Sequence, residues 1–312
     1  MQGKDFLSIS DISSDEVHTL ISNASNIKSS GYRYHIGNKT LALIFEKASL
    51  RTRVSFELAM RQLGGNSIYL SPAEVGLGKR ESISDIAQVL NRYVDVIAAR
   101  TFSHRTLDIL SSYTKIPVIN ALSDREHPCQ ALADILTIFE KKGFLKGLTI
   151  AYIGDGNNVA HSLMLAASIT GINFRIASPQ NYRVNSDIIN RAKGFSLDSG
   201  SDIVCTENPA QSAAGADVVY TDVWTSMGQE NEAQKRRQEF SDYRVDEKIF
   251  SMAKEDAIFM HPLPAHRGEE VTADVMDSPR SAVFDQAENR LHMQKALLVM
   301  MLGGEKIISG SK

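Results

Sequence analysis

The chain has little that would staple it, anchor it or charge it strongly. Its only cysteines, Cys129 and Cys205, lie far apart among 312 residues, which excludes a disulfide framework and every cysteine-based zinc motif. A reducing compartment is expected. No apolar run approaches the roughly 20 residues that a spanning helix needs. Residues 296–302 are too few, and the uncharged stretch over 156–174 holds Asn157, Asn158, His161 and several hydroxyls, so it reads as a buried helix of a soluble protein with no membrane partner. The opening residues, with Asp5 and Asp11, lack the charged-then-apolar layout of a secretory leader, so the cytoplasm is the expected location. Neither sign of charge dominates: 34 Lys and Arg face 37 Asp and Glu, a net charge of −3. The one basic cluster, Lys235, Arg236 and Arg237, makes no case for nucleic acid. With 43% hydrophobic and 23% charged residues, the composition excludes a disordered, collagen-like or coiled-coil chain.

What is present is an α/β pattern. The length is about twice the ~150 residues of a typical domain, so two domains are expected. Ser13, then Glu16, then apolar Val17, Leu20, Ile21, Ala24 and Ile27 predict a capped opening helix. Short apolar runs then alternate with helical stretches of about 10 to 15 residues, the pattern of β-α-β units that close parallel sheets. Strands are expected over 41–45, 67–70, 94–99 and 117–120 in the first half. In the second half they are expected over 149–153, 174–177, 203–206, 218–220 and 257–260. A helix over 128–142 falls between the two sets.

Ligands of open parallel sheets sit beyond the carboxyl ends of strands, and five segments occupy such positions. The first, Ser49-Leu50-Arg51-Thr52-Arg53, opens a helix whose unpaired N–H groups, hydroxyls and guanidinium suit an anion, phosphate being the natural occupant. A plain N-cap at Ser49 and a surface pair between Arg53 and Glu57 would be the purely structural account. The second is Arg100, which ends a strand. In the third, His127-Pro128-Cys129-Gln130, proline suits the first helical position and leaves His127 and Gln130 at the helix mouth. The fourth joins Gly154-Asp155-Gly156-Asn157-Asn158 with Asp222 and Ser226-Met227-Gly228. It invites a dinucleotide, but Val159 stands where the fingerprint needs its third glycine, and an amino acid suits the amide, carboxylate and hydroxyl better. The fifth, His261-Pro262-Leu263-Pro264-Ala265-His266, is a proline-stiffened loop in which one proline peptide has the option of being cis. It offers no carboxylate or thiol at metal-ligand spacing, and no metal is expected.

In this order the segments resemble the carbamoyltransferases, on the ornithine branch of that family, over nearly the whole chain up to Ala287-Glu288-Asn289-Arg290. The resemblance implies two domains, each a parallel sheet flanked by helices. Residues 1–140 would bind carbamoyl phosphate, completed by a C-terminal helix over 286–312 that packs back on them, and 141–285 would bind ornithine. It implies carbamoyl phosphate contacts at Ser49, Leu50, Arg51, Thr52, Arg100, His127, Gln130, Pro262, Leu263 and Arg290, with Arg51, Thr52, Arg100 and His127 acting on the reacting group. Asn158, Asp222, Ser226 and Met227 would hold L-ornithine. The implied reaction is carbamoyl transfer to the ornithine side-chain amine, without cofactor or metal, in a homotrimer whose loop over 71–81 reaches a neighbour. Two positions depart from the family pattern: Pro262 replaces a cysteine, and Leu50 stands where threonine is frequent. Pro262 keeps aspartate or another amine open as acceptor. A nicotinamide-dependent dehydrogenase, built on Gly154 to Asn158, and a protein that binds the phosphate compound without turnover also stay open.

Overall fold

A parallel strand covered on both faces reads as an unbroken apolar run rather than an alternation, and each of the nine expected runs forms a strand. The computed structural model describes residues 1–29, 33–78, 80–225 and 230–307. Helix α1 (Ser14–Ser29) opens on the reciprocal cap: Glu16 N donates to Ser13 Oγ at 3.2 Å, and Ser13 N to Glu16 Oε2 at 3.0 Å. There follow β1 (Arg33–His35), β2 (Thr40–Phe45), α2 (Leu50–Gln62), β3 (Asn66–Leu70), α3 (Pro72–Val75), α4 (Ile83–Leu90), β4 (Val96–Arg100), α5 (His104–Ser112), β5 (Val118–Leu122) and α6 (Pro128–Lys142). The second half runs β6 (Thr149–Ile153), α7 (Asn158–Thr170), β7 (Asn173–Ala177), α8 (Ser186–Ser199), β8 (Ile203–Thr206), α9 (Pro209–Ala213), β9 (Val218–Tyr220), α10 (Ala233–Glu239), α11 (Glu247–Phe250), β10 (Ile258–Met260), α12 (Ala273–Met276), α13 (Val283–Leu302) and β11 (Glu305–Ile307).

Two compact units result, one of Met1–Leu136 with Asn289–Lys312, the other of Thr137–Glu288. The chain leaves the first unit within α6 and returns to it within α13. In the first unit the parallel order is β3-β2-β4-β5. The chain therefore steps from β2 to one side and resumes on the other, with Phe45 paired beside Arg100. Segments leaving β2 and β4 diverge there, and this switch point is where a crevice opens. Ala42, Ile44, Ile97, Ala99, Leu107 and Leu110 pack as one core under the sheet. The returning part of α13 is tied down by Lys28 Nζ donating to Asn289 Oδ1 at 2.8 Å and Lys295 Nζ to Gln62 Oε1 at 3.0 Å.

The second unit repeats the logic with the order β10-β9-β6-β7-β8, all parallel, and reverses between β6 and β9. Helix α7 is buried at every residue from Val159 to Thr170. Its hydroxyls tolerate this because Ser168 and Thr170 donate back to the carbonyls of Met164 and Ala166 at 2.7 and 2.8 Å. The antiparallel pair β1–β11 is not among the expected strands. Three residues are too few to show a period of two, and the partners come from opposite ends of the chain. No helix among the described residues is long and apolar enough to cross a membrane.

Candidate active site

The first unit gathers its polar residues around the start of α2. Ser49 is the N-cap: its Oγ accepts from Thr52 N and donates to Thr52 Oγ1 at 3.0 Å. Arg290 Nη2, arriving on α13, donates to the same Thr52 oxygen at 2.7 Å, and Arg290 Nη1 donates to Gln130 Oε1. A hydroxyl has two acceptor positions and one proton. With both acceptors engaged, the Thr52 hydroxyl keeps its own proton to donate. Leu50 is 77% exposed, so at the helix N-terminus it offers a backbone N–H and nothing from its side chain. Arg53 follows the purely structural account, since it pairs with Glu57 at 2.9 Å and its guanidinium lies 3.8 Å from the Tyr69 ring centre.

Three guanidiniums, those of Arg51, Arg100 and Arg290, act on one another or on His127 in this unit. Burial pushes the Arg100 guanidinium down to about 10, and Arg290 and Arg51 push the same way. His127, immediately before Pro128 at the start of α6, is held well below its ordinary value by burial and then by Arg290, Arg100 and Arg51. It is therefore a neutral imidazole at pH 7, a hydrogen-bonding group rather than a fourth cation. Arg100 Nε is buried with no hydrogen-bond partner among the described residues. An anion among these groups would satisfy that donor and relieve the mutual repulsion of three guanidiniums. Ser49, Thr52, Gln130 and Arg290 are thus linked by hydrogen bonds, and Arg100 and His127 each feel the charges of both Arg290 and Arg51.

In the second unit the switch point between β6 and β9 brings two loops together. Asn157, the N-cap of α7, accepts from Val159 N at 2.9 Å and Ala160 N at 3.1 Å, which turns its amide Nδ2 toward Asp222 Oδ2 at 2.8 Å. Asp222 is buried, and burial raises its carboxyl pKa against the opposing pull of His261 and Asn157. Gly156 is required by packing: a Cβ there would sit 2.3 Å from Val184 N. That contact accounts for the second glycine of the Gly154-Asp155-Gly156 turn without a dinucleotide. Asn158, the first residue of α7, is half-buried. Ser226 and Met227 lie outside the described residues.

The proline loop follows β10. His261 Nδ1 accepts from Leu263 N at 2.9 Å, and its Nε2 lies 3.2 Å from Glu270 Oε1, a pattern that assigns the proton to Nε2. Burial opposes ionisation of Glu270, but the hydrogen bonds from His261 and from the His266 backbone hold its carboxyl below the ordinary value. Pro262 is buried, Leu263 adopts φ +59°, and the Leu263–Pro264 peptide is cis. Carboxylates do reach this loop, contrary to what its spacing suggests: His266, Glu269 and Glu270 bring ligand atoms within 4.8 Å of one another. Glu269 is paired with Arg237 at 2.9 Å and Glu270 is engaged by the two histidines.

Several residues with a part in this arrangement carry little or no signal in the sequence. Asn157 has the usual N-cap signature of an Asn before an apolar helix, but Asn158 beside it has the same one. Arg236 reads as one of three surface cations. It is buried, donates to Asp155 Oδ2 at 2.7 Å and to the Trp224 carbonyl at 2.8 Å, and lies over the Tyr182 ring. Asp134, fully buried on α6, accepts from Gln130 Nε2 at 2.8 Å, and no local pattern marks it.

A guanidinium-lined cradle at one switch point and a buried carboxylate at another define a two-unit α/β protein built to hold small charged molecules. The chain belongs to the aspartate/ornithine carbamoyltransferase family. The model of that family's carbamoyl-P binding domain matches residues 4–140, and that of its Asp/Orn binding domain matches 146–301. The ornithine carbamoyltransferase of Anoxybacillus flavithermus is 52% identical over 306 residues, covering 97% of this chain and 98% of that one. That of Bacillus subtilis is 51% identical over 302 residues, 97% and 95% of the two chains. The solved structure of ornithine carbamoyltransferase from Pyrococcus furiosus superposes with a TM-score of 0.94 at 48% identity, covering 98% of this chain and 99% of its own.

Proposed function

We propose that the protein transfers the carbamoyl group of carbamoyl phosphate to the side-chain amine of L-ornithine, giving L-citrulline and phosphate. The observation that carries this is the convergence of Arg51, Arg100 and Arg290 with a neutral His127 on the Thr52 end of α2. We assign the first unit to carbamoyl phosphate, with Ser49, Leu50, Arg51, Thr52, Arg100, His127, Gln130 and Arg290 as its contacts. The second unit is assigned to ornithine, with Asn158, Asp222, Ser226 and Met227. Carbonyls of the Pro262–Leu263 segment serve the carbamoyl amide.

The ornithine nitrogen attacks the carbamoyl carbon, the bond from that carbon to the phosphate oxygen breaks, and the amine proton leaves with phosphate. Donors aimed at the carbonyl oxygen stabilise the charge that develops there. Thr52, Arg100 and His127 suit this role, and the arginines suit the departing phosphate. The acyl phosphate is already activated, so no cofactor enters the scheme. A lysine-type amine has a pKa near ~10.4, and neutralising it at pH 7 costs about 4.6 kcal/mol. Nearby guanidiniums and desolvation lower that cost.

A homotrimer is part of the proposal. Leu50, Val54 and Leu58 recur every four residues along α2 and are 77%, 42% and 39% exposed, and Ile68 of edge strand β3 is 48% exposed. Such a patch suits a partner surface. The cytoplasm is the proposed compartment, since Cys205 is an exposed free thiol. The test is to incubate the protein with carbamoyl phosphate and a panel of amines and identify the ureido product by mass. Citrulline is expected. Carbamoylation of aspartate instead would overturn the acceptor assignment, and no ureido product would overturn the function.

A further inference from the structure

We infer that Asp134 is a positioning residue for the anion cradle, acting through Gln130 on Arg290; this rests on the assignment of that cradle to carbamoyl phosphate. Asp134 lies one helical turn beyond Gln130 on α6, and both are fully buried. Gln130 Nε2 donates to Asp134 Oδ1 at 2.8 Å, while Gln130 Oε1 accepts from Arg290 Nη1. Arg290 then donates through Nη2 to Thr52 Oγ1 at 2.7 Å.

A carboxylate accepts and a guanidinium donates. The amide between them therefore has one orientation, gripped at both ends. Arg290 grips it from the ligand side, and Asp134 grips it from the side away from the ligand. An ionised carboxylate binds such an amide more strongly than a neutral acceptor does, and linked hydrogen bonds polarise one another. Glu126, another fully buried carboxylate of this unit, is engaged by the Ser8 hydroxyl at 2.5 Å and by Ile9 N at 3.1 Å. The carboxylate in the Gln130–Arg290 relay is that of Asp134. Without it, a buried amide loses its acceptor, and the guanidinium that shapes the phosphate end of the cradle loses its fixed partner.

The experiment compares wild type, Asp134→Asn, Gln130→Met and the double variant. It reads the Kd for inorganic phosphate by calorimetry and the two KM values by steady-state assay. Asp134→Asn keeps the shape and removes the charge. It is expected to raise the phosphate Kd and the carbamoyl phosphate KM about tenfold, the size of one charge-assisted bond, while the ornithine KM stays within about twofold. In the Gln130→Met background the same change is expected to add less than about twofold, because the relay is already cut. An unchanged phosphate Kd in Asp134→Asn, or the same factor in both backgrounds, would overturn the inference. If Asp134→Asn does not fold, Gln130→Met alone decides, since unaltered phosphate affinity there removes the relay. A wild-type protein that forms no ureido product overturns the function proposed above, whereas the phosphate titrations still decide the relay.

Discussion

Replacing Thr52 with valine isolates one oxygen. Valine keeps the branched shape and the backbone N–H that Ser49 caps, so α2 retains its start. What disappears is the hydroxyl that accepts from Arg290 Nη2 at 2.7 Å and from Ser49 Oγ at 3.0 Å, together with the proton it can donate. The site is 1% exposed, so water does not substitute. A hydrogen bond to a charged partner is worth about 1.5–3 kcal/mol, and a donor to a developing oxyanion about 2.7–4 kcal/mol. Part of both terms is expected in the transition state, so kcat/KM for carbamoyl phosphate should fall between about tenfold and a thousandfold. Thr52→Ser, which restores the hydroxyl, should recover most of the activity. The assay is citrulline formation at saturating ornithine, with thermal melting as the control for folding. Near-normal kcat/KM in Thr52→Val, or equal loss in Thr52→Ser, would refute the role given to this oxygen.

Burial and three guanidiniums hold His127 below its ordinary 6.5 when folded, so below that pH the unfolded chain binds a proton that the native state refuses. The contribution is intact above pH 6.5 and is lost as pH falls, by about 1.4 kcal/mol per pH unit. Between pH 6.5 and 5.5, where the unfolded histidine is only half-titrated at the start, wild type should lose about 1 kcal/mol relative to His127→Gln in urea titrations; an equal change in both would contradict the assignment. Asn157→Ala removes a helix cap worth about 1 kcal/mol and the partner of Asp222. The ornithine KM should rise roughly tenfold, one lost charge-assisted bond, with the carbamoyl phosphate KM unaltered, and a rise in the latter instead would place Asn157 elsewhere in the mechanism. Gly156→Ala drives a Cβ to 2.3 Å from Val184 N and 2.5 Å from the Arg183 carbonyl carbon, an overpacking cost of about 1–3 kcal/mol. An unchanged melting temperature would show that the backbone there yields freely.

Much of this molecule is legible along the chain because it depends on neighbours in sequence. Buried parallel strands demand unbroken apolar runs, so residues 149–153 and 218–220 can be marked to the residue. A cap needs its hydroxyl and carboxylate three positions apart, as Ser13 and Glu16 are, and proline at a first helical position marks Pro128. The polar segment after β2, proposed to bind an anion, is recognisable for the same reason, since hydroxyls and a guanidinium at a helix start act within one turn. Tertiary structure decides what depends on partners distant in sequence. Only folding sets Arg290 against Thr52, turns Arg236 from a surface cation into the partner of Asp155, and gives the buried Asp134 a donor linked to the cradle. Local pattern encodes hydrogen bonds within a turn and burial along a strand. The burial of His127 and its exposure to the charges of Arg290, Arg100 and Arg51, which together hold it neutral, exist only once separate strands and helices have converged.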